Sequence, residues 1–254
     1  MNKKEPARFN FLGLNFHIVT FDQTIEQMEY FIQTKKPHMI FAPTVELAVR
    51  SKEDYYLKCI YNRSDLLMLD SYVIYYGAKL FRKPAIEPVN AARLMLAFLE
   101  VAYKKDYRLY LLGAKNDIVN KAVENIRLKY PGINIVGWHH GYFDFENYTE
   151  VTQDIKDKNP DVLFVAMSSP LKENFISINL EKMKVPVCLG VGGTFDIIAG
   201  KCRMAPTWVS RAGLEWFYRL IQEPKRLWKR YTITNAKFLW HLFKECFNKA
   251  SHKN

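Results

Sequence analysis

The sequence of 254 residues contains little cysteine and no long uninterrupted apolar run. Its four cysteines are scattered, without a Cys-x-x-Cys pair. Such usage excludes a disulfide framework and a cysteine-based zinc site, and it favours reduced thiols in a cytoplasmic protein. No stretch reaches the roughly 18 apolar residues that cross a bilayer, and the N-terminal residues lack the apolar core of a signal peptide. We therefore expect a protein that is neither exported nor membrane-spanning.

Two motifs that hold nucleotides are also absent. No Gly-x-Gly-x-x-Gly follows the early apolar runs, which disfavours a dinucleotide-dependent oxidoreductase. No Asp-x-Asp pair occurs, so a diphosphate bridged to the protein by a metal ion is not indicated. We expect neither a metal ion nor another cofactor, and we expect glycine-loop amides and cationic side chains to meet the charge of a bound diphosphate.

The positive charge is concentrated towards the C-terminus. The net charge is +11, and residues 225–254 carry eight Lys or Arg against one acid, so they contribute +7 and leave +4 for the preceding 224 residues. A basic, aromatic-rich tail favours an anionic membrane surface over nucleic acid. Packing of the aromatic residues against the protein's own body is the alternative. On a helix, three basic residues spaced seven apart would form a stripe, namely Arg230, Lys237 and Lys244. The aromatic and apolar residues would lie elsewhere on the circumference, namely Trp228, Tyr231, Phe238 and Leu242.

Short apolar runs alternate with stretches of helical spacing along most of the chain. This alternation predicts an α/β, Rossmann-like domain with a mostly parallel sheet and flanking helices, preceded by a hairpin over residues 8–20. We expect an α/β domain over residues 1–207 and a helical, membrane-binding appendage over residues 208–254. The predicted strands are 38–42, 66–69, 108–112, 133–138, 162–167 and 187–189, and the predicted helices are 21–34, 44–51, 53–61, 72–80, 91–104, 116–130, 148–158 and 171–183.

Polar or glycine residues follow four of the predicted strands, namely Thr44, Asp70, Gly113 and the loop Gly190–Gly193. Ligands of open parallel sheets lie beyond the carboxyl ends of the strands. The glycine loop precedes a helix-like segment that carries Asp196, so its N–H groups could face an anion, with a plain tight turn as the alternative. Asp70 could take a proton from an acceptor hydroxyl, or it could cap the following helix.

The C-terminal third contains an ordered series of motifs. GVGGTFDIIAG over residues 190–200 is followed by Arg-x-Ala-Pro-x-Trp over 203–208 and by GLEWFYRLIQEPKR over 213–226. Together these resemble the signature of the WecG/TagA/CpsF glycosyltransferase family. The resemblance extends over residues 42–230. It includes SDLLMLDSYVIYYGAKL at 64–80, LYLLGAK at 109–115, YPGINIVGWHHGYF at 130–143 and DVLFVAMSSPLKENFI at 161–176.

The resemblance implies an inverting transfer of N-acetylmannosamine, or its uronic acid, from a UDP-sugar to a polyprenyl-diphosphate-linked sugar in bacterial surface-polysaccharide biosynthesis. It implies Asp70 as the catalytic base. It also implies a peripheral enzyme on the inner face of the cell membrane, whose appendage docks on that membrane and helps complete the active site. We expect no nucleic-acid partner, and homo-oligomer formation stays open. The candidate substrate-binding residues are Thr44, Asn90, Gly113, Lys172, Glu173, Gly190, Gly192, Gly193, Asp196, Arg219, Arg226 and Arg230.

Several polar positions depart from the family's motifs. The family's Thr-x-Asn is Ala42-Pro43-Thr44 here, and its Asp-Gly is Asp70-Ser71. Residues 88–93 lack the Arg, Gly and Asp of its Arg-x-x-Gly-x-Asp segment, and Lys172 replaces the Gln of Pro-Lys-Gln-Glu. These departures indicate either a different sugar or acceptor, or a catalytically degenerate sugar-nucleotide-binding or scaffold protein of the same fold.

Overall fold

A parallel six-stranded sheet forms the centre of the structure, a computed structural model that describes residues 5–143 and 149–251, without the side chains of 226, 230 and 245–251. The strand order is β4-β3-β8-β7-β5-β6, and every neighbouring pair is parallel. The predicted α/β class with a parallel sheet is therefore confirmed. The strands are β3 (His38–Phe41), β4 (Leu66–Leu67), β5 (Leu109–Gly113), β6 (Ile135–His139), β7 (Val162–Ala166) and β8 (Val187–Gly190).

The predicted hairpin is present as β1 (Arg8–Phe11) and β2 (Leu14–His17), which pair antiparallel. It covers the exposed edge of the sheet, because the Nδ1 atom of His17 accepts the N–H of Leu67 in β4 at 2.8 Å. Burial lowers the pKa of His17 to about 4, so the ring is neutral and able to accept this bond at physiological pH. The hairpin thereby satisfies a donor of an edge strand.

Helices cover both faces of the sheet and continue beyond its last strand. Their amphipathic spacing predicts most of them, and α1, α4 and α8 have the predicted bounds. The helices are α1 (Phe21–Thr34), α2 (Val45–Arg50), α3 (Tyr55–Arg63), α4 (Tyr72–Leu80), α5 (Ala91–Lys105), α6 (Asn116–Lys129), α7 (Thr149–Lys158), α8 (Leu171–Met183), α9 (Thr194–Ile198), α10 (Thr207–Arg211), α11 (Glu215–Gln222) and α12 (Pro224–Ser251).

Two hydrophobic layers lie on opposite faces of the sheet. In β3, Met39 and Phe41 belong to one layer and Ile40 to the other. Tyr110 and Leu111 of β5 divide in the same way. Because each central strand is covered on both faces, its residues form a continuous apolar run rather than an alternating one.

Strand β4 is shorter than predicted, ending at Leu67 instead of Leu69. The N–H of Met68 still donates to the carbonyl of Phe41 in β3 at 2.9 Å, but the carbonyl of Leu69 accepts the N–H of Val89, in the segment before α5, at 2.7 Å. Asp70 follows directly after this bond to the segment before α5. Strand β6 begins at Ile135, two residues later than predicted. Residue 148, the predicted start of α7, lies outside the described residues.

The C-terminal helices α10, α11 and α12 pack along one end of the α/β body. Arg93 in α5 donates to the carbonyl of Ala205 at 2.7 Å, and Tyr76 in α4 donates to the carbonyl of Arg211 at 2.7 Å. The predicted helical C-terminal segment is therefore present, whereas its separation as a domain at residue 207 stays a prediction. Within residues 5–143 and 149–251, no helix combines the length and the apolar character needed to cross a bilayer.

Candidate active site

A cavity of about 190 Å³ opens beyond the carboxyl ends of β4, β3 and β8, which are neighbours in the sheet. Thr44 follows β3, Asp70 follows β4, and Gly192 and Gly193 follow β8; all four line the cavity. Helices α2, α4, α5, α8, α10, α11 and α12 supply other parts of the lining. The arrangement is the one expected for a ligand site in an open parallel sheet.

Asp70 is held at this cavity by the start of α5. Its Oδ1 atom accepts the side-chain N–H of Asn90 at 3.2 Å and the backbone N–H of Ala91 at 3.3 Å. Among the described residues, no donor lies within hydrogen-bond distance of Oδ2. The alternative role of Asp70 as the cap of its own helix is wrong, because Ser71 occupies the N-cap position of α4. Two hydrogen bonds thus fix Oδ1, and Oδ2 remains available to accept a proton.

The charge state of Asp70 is set by its surroundings. Burial and the carboxylate of Glu215 raise the pKa of Asp70 to about 7, although Arg219, the N–H of Ala91 and Lys172 oppose this shift. A carboxyl group with a pKa near neutrality can accept a proton and release it again within the physiological range. The geometry and the electrostatics both fit a general base.

Two hydroxyl groups line the cavity beside Asp70. Thr44 is the N-cap residue of α2, but its side chain makes no capping hydrogen bond. The Oγ atom of Ser71 is buried and has no hydrogen-bond partner in the described part of the chain. Ser71 was not among the predicted site residues, and only its place directly after Asp70 could have indicated it.

Lys172 and the glycine loop form the wall next to β8. The cavity is lined on this side by four predicted site residues, Lys172, Gly190, Gly192 and Gly193, whose role in binding stays a prediction. A Cβ atom on Gly190 would lie 3.1 Å from Cε of Lys172, so glycine at this position leaves room for the lysine side chain. A cation and the glycine loop therefore lie on the same wall of the cavity.

The C-terminal helices close the opposite side of the cavity with charged residues. Arg219 lies in the lining, as predicted, and its Nη2 atom is 3.4 Å from Oε1 of Glu215. Glu215 also lines the cavity, although the sequence did not identify it as a site residue. Its position in the Gly-Leu-Glu-Trp motif was the available signal. The side chains of Arg226 and Arg230 lie outside the described residues, so their roles stay predictions.

Three predicted site residues lie outside the cavity lining. Gly113 is the last residue of β5, where a Cβ atom would be 2.3 Å from the carbonyl oxygen of Ala166, so close backbone packing accounts for this glycine. Glu173 is fully buried behind Lys172. Asp196 lines a smaller adjoining cavity of about 40 Å³, where it pairs with Lys201 at 3.0 Å. Binding by these three residues stays a prediction.

The aromatic C-terminal segment is divided between two surroundings. Phe238 is only 5% exposed, and Phe238 and Leu242 both pack against Gly77 in α4. The prediction that these two residues lie on a membrane-facing part of the helix is therefore wrong, and packing against the body explains them. Lys237, one of the three predicted stripe cations, pairs with Glu53 at 2.8 Å. Other apolar side chains of α10 to α12 are exposed: Trp208, Phe217, Ile221, Trp228, Leu239, Trp240 and Phe243.

Metal-binding residues are not clustered in the described part of the chain, where no group of three or more His, Cys, Asp or Glu side chains could hold an ion. The independence of the site from metal ions stays a prediction.

Comparison with known proteins relates this site to a family. The model of the glycosyl transferase WecG/TagA/CpsF family matches residues 9–252. The N-acetylglucosaminyldiphosphoundecaprenol N-acetyl-beta-D-mannosaminyltransferase of Bacillus subtilis (strain 168) is 31% identical over 238 residues, which cover 94% of this chain and 91% of the relative. The protein of the same description from Staphylococcus aureus (strain MW2) is 27% identical over 234 residues, which cover 91% of each chain.

Proposed function

Because the chain belongs to the WecG/TagA/CpsF glycosyltransferase family, we propose that it transfers N-acetylmannosamine from a UDP-sugar to N-acetylglucosamine carried on undecaprenyl diphosphate. The names of the two relatives specify this sugar and this lipid-linked acceptor for those proteins. The UDP donor is our inference from the glycine loop and the cations beside it. The product would enter the assembly of a bacterial surface polysaccharide.

The position of Asp70 is the observation that carries the proposal. Its Oδ1 atom is held by Asn90 and Ala91, so Oδ2 is free to accept the proton of an acceptor hydroxyl. The acceptor oxygen then attacks the anomeric carbon from the face opposite the diphosphate. The bond from that carbon to the diphosphate oxygen breaks, its electron pair leaves with UDP, and the anomeric configuration is inverted.

The leaving diphosphate requires positive charge or hydrogen-bond donors where its own charge develops. The glycine loop 190–193 and the cations Lys172 and Arg219 line the cavity, which supports a transfer that needs no metal ion. The predicted arginines 226 and 230 belong to the same C-terminal segment, and we propose that they face the diphosphate of the lipid acceptor.

The lipid-linked acceptor places the reaction at a membrane surface. We propose that the exposed aromatic residues of α10 to α12, together with the basic tail, bind the cytoplasmic face of an anionic bilayer. Trp208 is 71% exposed and Ile221 64% exposed, and both belong to a series of exposed large apolar side chains on three consecutive helices.

The test is transfer of radiolabelled N-acetylmannosamine from its UDP derivative to a lipid-diphosphate N-acetylglucosamine acceptor in detergent. Wild-type protein should form product, and Asp70→Asn should lower the rate by about 10²–10⁴-fold, because general base catalysis contributes this much. Asp157→Asn, on the exposed face of α7, is the matched control and should retain full activity. The linkage formed should have the opposite anomeric configuration to the donor.

Two results would contradict the proposal in different ways. Product formation that survives Asp70→Asn would remove Asp70 as the base but leave the transferase. A wild-type protein that binds UDP yet transfers no sugar from a panel of UDP-sugars would favour the degenerate binding or scaffold protein, for which the motif departures at residues 42–44 and 88–93 are the motivation.

A further inference from the structure

Lys172 and Glu173 form a buried ion pair at the edge of the cavity. The ammonium nitrogen of Lys172 lies 2.6 Å from Oε1 of Glu173, and the two residues are 8% and 0% exposed. Ser169 joins the pair, since its hydroxyl accepts from Lys172 and donates to Glu173 at 3.0 Å. Tyr61, from α3, donates its hydroxyl to the same carboxylate oxygen at 2.8 Å.

This network is poorly explained as a source of stability. Burying two charges costs about as much free energy as their attraction returns, so well-packed apolar residues would serve the fold equally well. Oε1 of Glu173 receives all three donors, whereas Oε2 is buried with no partner among the described residues. A buried carboxylate with one unpaired oxygen calls for an explanation beyond stability.

The lysine has bonding capacity that the protein does not use. An ammonium group has three N–H donors, and within the described residues Lys172 uses two of them, for Ser169 and Glu173. Lys172 lines the cavity, and its Cε atom would be 3.1 Å from a Cβ atom on Gly190. The third N–H donor of Lys172 is therefore available to a ligand in the cavity beside the glycine loop. A ligand rich in oxygen acceptors would suit this donor.

We propose that Lys172 binds the diphosphate of the nucleotide-sugar donor, and that Glu173, Tyr61 and Ser169 are positioning residues that hold the lysine for this contact. The inference rests on the proposed function and assigns the predicted binding residue Glu173 a different role. It also gives a role to the lysine at the position of the motif's glutamine, in a chain where Leu171 stands at the position of the motif's lysine. Lys172 and the loop 190–193 line the same wall of the cavity, next to β8, and this shared wall is the reason for assigning the contact to the donor's diphosphate.

The experiment measures the binding of uridine, UMP and UDP to wild type and to four variants. Lys172→Gln should weaken UDP binding by about tenfold or more and leave uridine binding unchanged, because a charge-assisted hydrogen bond to phosphate is lost. Glu173→Gln and Tyr61→Phe should weaken UDP binding less, again without affecting uridine. Lys182→Gln, on the same helix but remote from the cavity lining, is the matched control.

Thermal unfolding of each variant separates positioning from a structural role. If Glu173 and Tyr61 only stabilised the fold, their variants would lower the unfolding midpoint and weaken uridine and UDP alike. Equal UDP affinity in Lys172→Gln and wild type would overturn the proposal. If instead Lys172→Gln binds UDP normally but has a raised KM for the lipid-linked acceptor, the lysine faces the acceptor's diphosphate and the donor assignment is wrong. Absence of UDP binding or sugar transfer in wild type would refute the proposed function itself.

Discussion

Asp70 combines a fixed orientation with an adjustable charge. The N–H groups of Asn90 and Ala91 hold one oxygen and favour the ionised form, whereas burial and Glu215 favour the protonated form. The outcome is a pKa of about 7 for Asp70, well above the ordinary value for aspartate. Glu215 lies in α11, so a residue of the C-terminal helices raises the pKa of a residue that follows the edge strand β4.

The rate of transfer should therefore depend on pH in a defined direction. Only ionised Asp70 can accept a proton, so kcat/KM should rise with pH, reach half its maximum near the pKa of about 7, and level off above it. Glu215→Gln removes a negative charge that raises the pKa of Asp70, so the midpoint should move to lower pH. The measurement is kcat/KM between pH 5 and 9, in the range set by this pKa.

The charged groups that face Asp70 provide the controls for this profile. Arg219 and Lys172 lower the pKa of Asp70, so their neutral variants should move the midpoint upwards, opposite to Glu215→Gln. A rate that is flat from pH 5 to 9, or a midpoint that does not respond to residue 215, would contradict the assignment of Asp70 as the base.

Gly113 supports a prediction about stability rather than binding. Its φ of +133° and the 2.3 Å approach of a Cβ atom to the carbonyl oxygen of Ala166 leave no room for alanine. Gly113→Ala should destabilise the fold by about 4 kcal/mol or more, the range of severe backbone clashes. Gly132 also has positive φ, but a Cβ atom there meets nothing within 4 Å, so Gly132→Ala should cost only about 1–2 kcal/mol. Urea unfolding of both variants checks the difference, and equal costs would refute the packing explanation.

Helix α12 forms part of the active-site wall while it packs on the body. Leu227, Tyr231 and Thr234 line the cavity, and one turn further on Phe238 enters the hydrophobic layer that contains Phe11. The position of α12 over the cavity therefore depends on the packing of its apolar side chains against the body.

Truncation of Phe238 should test this coupling. Phe238→Ala removes a buried ring and should lower the free energy of unfolding by about 3 kcal/mol. Because α12 would then be held less firmly over the cavity, KM for the substrates should rise as well. Phe243→Ala, at a position 53% exposed on the same helix, should change stability by no more than about 0.5 kcal/mol. Similar effects from both variants would show that Phe238 does not anchor the helix.

At the scale of the whole molecule, the exposed apolar side chains and the excess positive charge belong to the same C-terminal segment. Phe217 and Ile221 are one turn apart on α11, a helix without a single buried residue. Residues 225–254 add a net charge of +7. Apolar side chains with flanking cations are the combination that binds an anionic bilayer from one side.

Binding to anionic vesicles should depend on the exposed apolar side chains of α11. Replacing Phe217 and Ile221 by serine should weaken binding to vesicles that contain anionic phospholipid by about tenfold or more, because two apolar side chains no longer insert. The unfolding midpoint should be unchanged, since neither side chain is buried. Neutral vesicles should bind wild type weakly. Retention of full binding to anionic vesicles by the double variant would assign the membrane contact to another part of the protein.

Hydrophobic periodicity was sufficient to predict the α/β class, the parallel sheet and the presence of α1 to α8, because helices and buried strands have different spacings of apolar side chains. The same reasoning located Asp70 and the glycine loop, since strand ends are local features and ligands of such sheets bind beyond them. The resemblance of separated motifs supplied the expected chemistry, which no local pattern contains.

Contacts between distant segments were beyond the reach of the sequence. Tyr61 bonds Glu173 across 112 positions, and the carboxylate of Glu215 in α11 raises the pKa of Asp70, which follows β4. The sequence also did not show which aromatic residues of the tail are packed and which are exposed. Phe238 is packed because it contacts Gly77 in α4, a small residue that is brought near it only by folding. Such contacts depend on how whole elements pack, and the pattern within any one element does not encode its neighbours.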